Sequence, residues 1–163
     1  MRKTFKYRLS PTAAQRTALQ SQLDRCRWVY NQTLEVRQTA WGERQESLSR
    51  YATNQLLTAW RAADPWLAEG HAQMQQDAQK RVDLAFRAFF RRVKAGEKPG
   101  YPRFKGRGWY DSITYPQHKG NWRWLADKRL HLSKVGDVKI RLHRPLRGAP
   151  KTLTLQRDHV GNW

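Results

Sequence analysis

Residues 89–108 read FFRRVKAGEKPGYPRFKGRG, with seven Arg or Lys, one acid (Glu97), four aromatics and two prolines. Arg91, Arg92, Lys94, Lys98, Arg103, Lys105 and Arg107 suit the neutralisation of backbone phosphates. Tyr101 and Phe104 offer flat faces for unpaired bases, each stacked base being worth about 1–3 kcal/mol. Pro99 and Pro102 hold the intervening backbone extended. A solvated tail needs no aromatics, and a core element cannot carry so many cations. The segment therefore reads as a surface that holds a polyanion. The competing reading leaves only the cations in solvent and uses Tyr101 and Phe104 to staple the loop onto the core.

Other chemistry finds little support. A two-metal nuclease needs converging carboxylates, and the thirteen acids are scattered singly through basic sequence. Asp77 and Asp83 are six apart on one expected helix and do not share a face at one level. Glu43 and Glu46 have no third carboxylate beside them. The five histidines show no HxxxH or HExxH spacing, and no P-loop or GxGxxG is present. The single cysteine, Cys26, lies on an apolar stripe and reads as a small core residue; alone it builds neither a disulfide nor a Cys-rich zinc site. We expect no metal site, no cofactor and no catalysis from this chain by itself.

The charge balance is the strongest global fact: 32 Lys and Arg against 13 Asp and Glu, a net +19 over 163 residues. Self-repulsion of that size destabilises a compact chain unless a polyanion relieves it. Nucleic acid is the expected partner. Membrane-surface binders concentrate their charge on one amphipathic helix, whereas here it is spread along the chain. No apolar run approaches the roughly 20 residues of a membrane span, and MRKTFKYRLS lacks the apolar stretch of a signal peptide. A cytoplasmic location without a membrane partner is expected.

The elements that must position the basic run are legible in outline. Residues 3–9 alternate, with Phe5, Tyr7 and Leu9 on one face, as a half-buried strand does. Ser10-Pro11 then reads as a helix start, and an apolar period near 3.6 predicts a helix over 11–41, ending near Gly42. A second helix is predicted over 48–63, closed by a short turn at Asp64-Pro65, and a third over 71–95, ended by Gly96. After Gly108 the period becomes 2: Ile113/Tyr115, Leu130/Leu132, Val138/Ile140/Leu142 and Leu153/Leu155 predict short strands between turn signals. The first strand has no neighbour in sequence, so it must pair with the later strands. The expected fold is α+β: a small antiparallel β-barrel interrupted after its first strand by a three-helix domain. The expected divisions are 1–10, first strand; 11–97, helical domain; 98–111, basic Pro/Gly-rich connector; and 112–163, the remaining barrel. The final Gly161-Asn162 turn, with no returning strand, suggests that the chain is cut short.

The blocks FKYRLSPTAAQ, CRWVYNQTLE, AFRAFFRRVKAGEKPGYPRFKGRGWYDSITYPQ and LHLSKVGDVKIRLHRPL, in that order, resemble the N-terminal half of TnpB, an insertion-sequence-encoded family related to type V CRISPR effectors. The resemblance implies an RNA-guided DNA endonuclease. Its N-terminal half would be an OB-like wedge barrel interrupted by a helical recognition domain. That half would hold the guide RNA and read a short DNA motif beside the target, with base pairing supplying most of the specificity. It further implies motif contacts at Arg50, Asn54, Gln73, Gln76, Thr114 and Tyr115, where Asn and Gln suit adenine and Arg suits guanine. Older family descriptions call the first segment a helix-turn-helix. The family's RuvC-like nuclease, with its magnesium-binding carboxylates, and its four-cysteine zinc ribbon lie in the other half, to which nothing here corresponds. The expectation is a nucleic-acid-binding module without its nuclease, with guide RNA and DNA as partners. The alternatives are half of a split nuclease completed by a separate RuvC-containing chain, a dimeric DNA-binding repressor, and a remnant that no longer folds.

Overall fold

The computed structural model describes residues 3–163; Met1 and Arg2, which open the expected segment 1–10, lie outside the described residues. Phe5, Tyr7 and Leu9 turn toward the core as their alternation requires, but only Arg8–Ser10 forms a ladder, strand β1. Helix α1 (Ala13–Arg44) follows. Its N-cap is Thr12 rather than Ser10, because Ser10 is held in the sheet opposite Lys139. Thr12 Oγ1 accepts from the Gln15 N–H at 3.2 Å while Gln15 Oε1 accepts from the Thr12 N–H at 3.0 Å, a reciprocal capping box. The helix also runs past its expected end. Nothing touches the position a Cβ on Gly42 would occupy, and an exposed helical glycine costs only about 1 kcal/mol. Termination comes at Gln45, in the left-handed region at φ 54°, where the N–H returns to the Trp41 carbonyl at 2.9 Å.

Helix α2 (Arg50–Ala63) is capped by Ser49, and the expected turn at Asp64-Pro65 is a short helix, α3 (Pro65–Glu69), with Asp64 accepting from the Trp66 N–H at 2.9 Å. Helix α4 (Ala72–Lys94) starts at His71, whose Nδ1 accepts from the Met74 N–H, and gives way to Gly96 at φ 69° as expected. The apolar stripes of α1 (Leu19, Leu23, Cys26, Leu34) and α4 (Met74, Ala78, Val82, Phe86) are buried in one core. Cys26 is part of it: burial pushes its thiol up to about 12, which leaves no thiolate to act as a nucleophile.

A polar seam runs through the helices that the apolar period did not reveal. Gln79 Nε2 donates to the Thr53 carbonyl at 2.7 Å, and Gln75 Nε2 to the Leu67 carbonyl at 2.9 Å. Two arginines lock α3 in place. Arg25, only 6% exposed, donates to the Trp66 carbonyl at 2.5 Å and pairs with Glu69 at 3.0 Å. Arg61 gathers the carbonyls of Leu67, Ala68 and Gly70 at 3.0–3.1 Å and Gln75 Oε1 at 2.6 Å. A Cβ on Gly70 would run into Gln75 Nε2 and lie 2.6 Å from Arg25 Cδ, and it would have to displace side chains that hold α3.

The remaining strands are β2 (Ser112–Tyr115), β3 (Trp122–Leu125), β4 (Arg129–Leu132), β5 (Gly136–Arg141) and β6 (Leu153–Gln156). β1 joins them as expected, antiparallel to β5 with Leu9 opposite Ile140. The chain thus leaves the sheet, builds four helices and comes back. β3 was not expected; Trp122 and Trp124 share its inner face, and Tyr7 sets its ring edge-on to Trp124 at 6.4 Å. The expected barrel is not closed among the described residues. The strands form two antiparallel ladders, β1-β5-β4-β3 and β2-β6. β2 is tied to α4 instead: Arg81 Nη1 donates to the Ser112 carbonyl at 2.7 Å and Nη2 to Thr114 Oγ1 at 3.0 Å.

Arg61→Met removes a donor set serving three main-chain carbonyls, and charged hydrogen bonds are worth about 1.5–3 kcal/mol. The expected outcome is a loss of about 2 kcal/mol or more in urea unfolding, with α3 becoming the first segment to exchange its amides; stability within 0.5 kcal/mol of the parent would contradict this role.

Candidate nucleic-acid interface

The basic run leaves the end of α4 and crosses the surface toward β2. Its geometry is set by a few contacts. The Gly96 N–H returns to the Val93 carbonyl at 3.1 Å and the Glu97 N–H to the Arg92 carbonyl at 3.0 Å, which turns the chain out of the helix. Pro102 is buried between exposed neighbours. Tyr101 sets its ring at right angles to Phe86 and Phe89, with centroids 5.8 and 5.2 Å away. One amide on α1 then clamps the loop: Asn31 Nδ2 donates to the Lys105 carbonyl at 2.9 Å, and Asn31 Oδ1 accepts from the Lys105 N–H at 2.8 Å. The Tyr110 N–H bonds the Gly106 carbonyl at 3.2 Å, and the buried Tyr110 ring meets Tyr30 at 5.8 Å, which anchors the far end.

The cations are held out by this frame. Arg91, Arg92, Lys94, Lys98 and Arg103 are exposed, and among the described residues none lies within an ion pair; Lys105 is half-buried. Arg107 lies 3.6 Å from Asp24. The two readings of the aromatics divide between the residues. Tyr101 staples the loop and still keeps 45% of its surface open; Phe104 is 54% open. Two further exposed rings flank them, Phe90 at 59% and Trp109 at 82%. Sequence reasoning missed Trp109, although a Trp following GRG in a basic loop has no apolar period to bury it.

The second group of candidate residues is distributed over α2, α4 and β2. Gln73 is half-buried, with Oε1 accepting from Asn121 Nδ2 at 2.9 Å and Nε2 facing Gln117 Oε1 at 3.3 Å. Gln76 is exposed one turn on, and Thr114 lies on β2 with its hydroxyl between Arg81 and Thr154. α2 and α4 run antiparallel, since Thr53 meets Gln79 and Arg61 meets Gln75. Asn54 is therefore level with about residue 78 of α4, roughly 7–8 Å along the axis from Gln73 and about 3 Å from Gln76, with Arg50 a further turn from Gln73. Asn54 is half-buried with Oδ1 unpaired; Arg50 is exposed. Tyr115 is a core residue with no exposed surface: its hydroxyl donates to the Ser133 carbonyl at 2.6 Å, and burial raises its pKa.

His71 links this region to the sheet. With Nδ1 accepting from Met74, the proton is on Nε2, which donates to Asn121 Oδ1 at 2.8 Å. Burial holds its pKa below the ordinary value of 6.5; the Asn121 bond opposes this, and the charges of Lys134 and Arg61 add to it. Among the described residues no group of three or more His, Cys, Asp or Glu is placed to hold a metal ion, and no helix is long and apolar enough to cross a membrane.

Residues 1–46 match a family model described as a helix-turn-helix domain of the IS605 OrfB group. Within that span the described residues form β1 and the unbroken helix α1, whereas a helix-turn-helix is two helices joined by a turn of about 3–4 residues. The chain is 33% identical, over its whole length, to a Streptomyces pristinaespiralis protein named "Putative RNA-guided DNA endonuclease", of which it spans 40%. It is 29% identical, over 98% of its length, to "Putative RNA-guided DNA endonuclease InsQ" of Escherichia coli K12, of which it spans 38%. The chain thus spans about two-fifths of the length of the curated relatives it matches.

Two outcomes follow. Asn31→Ala unclamps both main-chain groups of Lys105, a loss of about 2 kcal/mol locally; brief trypsin digestion then cuts after Arg103 or Lys105 several-fold faster than in the parent, and equal rates would rule the clamp out. For His71 the folded pKa is depressed, so the unfolded chain takes up a proton first as pH falls through about 6.5. Stability therefore drops from pH 7.5 toward pH 5, and His71→Asn, which can still cap α4, flattens that slope in thermal melts; an unchanged slope would exclude His71 as its source.

Proposed function

We propose, from the premise that this chain belongs with the TnpB-related proteins and corresponds to about two-fifths of them, that it is a nucleic-acid-binding module of an RNA-guided DNA endonuclease. The observation that carries this reading is the unneutralised cation run with open aromatic faces on a clamped loop. Arg91, Arg92, Arg103 and Lys105 contact phosphates of guide RNA or DNA, with Lys94, Lys98 and Arg107 extending the track. Tyr101, Phe104 and Trp109 stack unpaired bases. Gln73 and Gln76 on α4, Asn54 and Arg50 on the neighbouring α2, and Thr114 on β2 are the motif-reading candidates, and Tyr115 supports β2 from within. Cutting, with its magnesium and zinc sites, belongs to a nuclease domain outside these residues, whether in the same protein or in a separate RuvC-containing chain. The repressor reading is less well supported, because a recognition helix presented after a turn is not what β1 and α1 build.

Replacing Arg91, Arg92, Arg103 and Lys105 together with Ala should weaken binding of the RNA that co-purifies with the chain and lower the slope of log K against log salt by roughly 3. An unchanged affinity and slope overturns the assignment. Sequencing that RNA separates the readings: one discrete species supports a guide-holding module, and heterogeneous RNA removed by moderate salt overturns it.

A further inference from the structure

A cleft of about 470 Å³ lies between the first half of α1 and the segment 157–163. Three guanidinium groups from distant parts of the chain line it, those of Arg16, Arg107 and Arg157, together with Trp66. Two are wired across the opening by neighbouring residues of α1. Arg157 Nη1 donates to Gln20 Oε1 at 2.5 Å, Gln20 Nε2 donates to Asp24 Oδ1 at 3.1 Å, and Asp24 Oδ2 lies 3.6 Å from Arg107. Among the lining residues Asp24 is the one carboxylate against three cations. Trp66 is 39% exposed, and its ring is fixed by the Arg25 guanidinium 5.3 Å from its centroid.

We infer that this cleft is a nucleotide site, taking a phosphate on Arg107, Arg157 and Arg16 and a base against Trp66. The chemistry matches each part: paired guanidinium forks recognise phosphate oxygens, an indole stacks any base, and the volume lies in the usual range for a small ligand. The site rests on the nucleic-acid reading above and goes beyond it, because the phosphate would be gripped at one enclosed place rather than along an open surface track. Arg107 ends the basic loop and begins the cleft, so a strand that follows the loop arrives there.

The test is equilibrium binding of uridine monophosphate to the 163-residue chain, with uridine and inorganic phosphate as controls. Saturable binding, at least tenfold tighter than either control, is expected. The double variant R107Q/R157Q should lower that affinity at least tenfold, while the charge-matched variant K139Q/R141Q, on the exposed face of β5, should not. Equal loss in both variants, or binding no tighter than phosphate alone, overturns the site and leaves only a polycation. Should the double variant not fold, photocrosslinking of 4-thiouridine monophosphate to the parent chain decides: adducts on the peptides bearing Trp66 or Arg157 support the cleft, and adducts elsewhere overturn it. Competition by a single-stranded oligonucleotide shows that strand and free nucleotide share the cleft; without it, the site takes free nucleotide and the link to the loop fails. Arg107 belongs to the track as well as to the cleft, so the single variant R157Q, which leaves every loop residue in place, separates the two: an affinity loss of several-fold in it supports the cleft, and parent-like binding overturns it.

Discussion

The rest of the structure follows from a shortage of carboxylates. Thirteen acids must serve thirty-two cations, and the fold uses four of them to hold arginines of the helices and the first strand. Asp83 takes both Arg37 and Arg87, at 2.9 and 3.2 Å; Asp77 takes Arg81; Glu69 takes the buried Arg25; Asp158 takes Arg8. A half-buried ion pair in the interior is far less screened than one in water, so the acids are most effective there. The exposed loop after α4 holds Glu97, which forms no ion pair among the described residues, and apart from Arg107, 3.6 Å from Asp24, its cations are left unpaired. Its attraction for a polyanion is thus a consequence of how the helices and sheet are held together.

A mobile cationic arm would carry the same charge, but this loop does not behave as one. The Asn31 clamp, the Tyr101 edge contacts and the buried Tyr110 fix it at three points. A surface already ordered loses less entropy when a ligand arrives. The same helix, α1, carries Asn31 under the loop and Gln20 and Asp24 beside the cleft, so one rigid rod sets the spacing between them. Its length matters: at about 1.5 Å per residue it spans the helical insert and reaches the sheet, where Gln15 Nε2 donates to the Asp137 carbonyl at 2.8 Å.

The helices and strands are joined by polar contacts as well as by the shared core. Arg81 binds β2 through Ser112 and Thr114, and His71 and Gln73 meet Asn121 between β2 and β3. Such contacts are directional, so they fix where α4 stands against the sheet in a way apolar packing does not. They set Gln73 and Thr114 against the sheet, while the antiparallel packing of α2 on α4 sets Asn54 and Arg50.

Local chemistry and periodicity determined much of this protein by themselves. A clean period of 3.6 made the stripes on α1 and α4 readable, and Asp64-Pro65 and Gly96 marked ends because their backbone preferences act within a turn. The orphan strand at Leu9 had to find a distant partner, since unpaired backbone groups are costly anywhere. The charge excess, and hence the class of partner, needs only counting. Tertiary structure alone decided the rest, because it depended on groups brought together from far apart. Ser10 lost its cap role to a sheet partner at Lys139; Trp122 and Trp124 of β3 cover the core; and β2 pairs with β6 in a second ladder while Arg81 ties it to α4. Tyr115 looked like a surface reader and is a buried pillar, while Asn31, silent in sequence, holds the loop. The cleft at Arg16, Arg107 and Arg157 joins residues about 140 positions apart, and no local pattern records a distance of that kind.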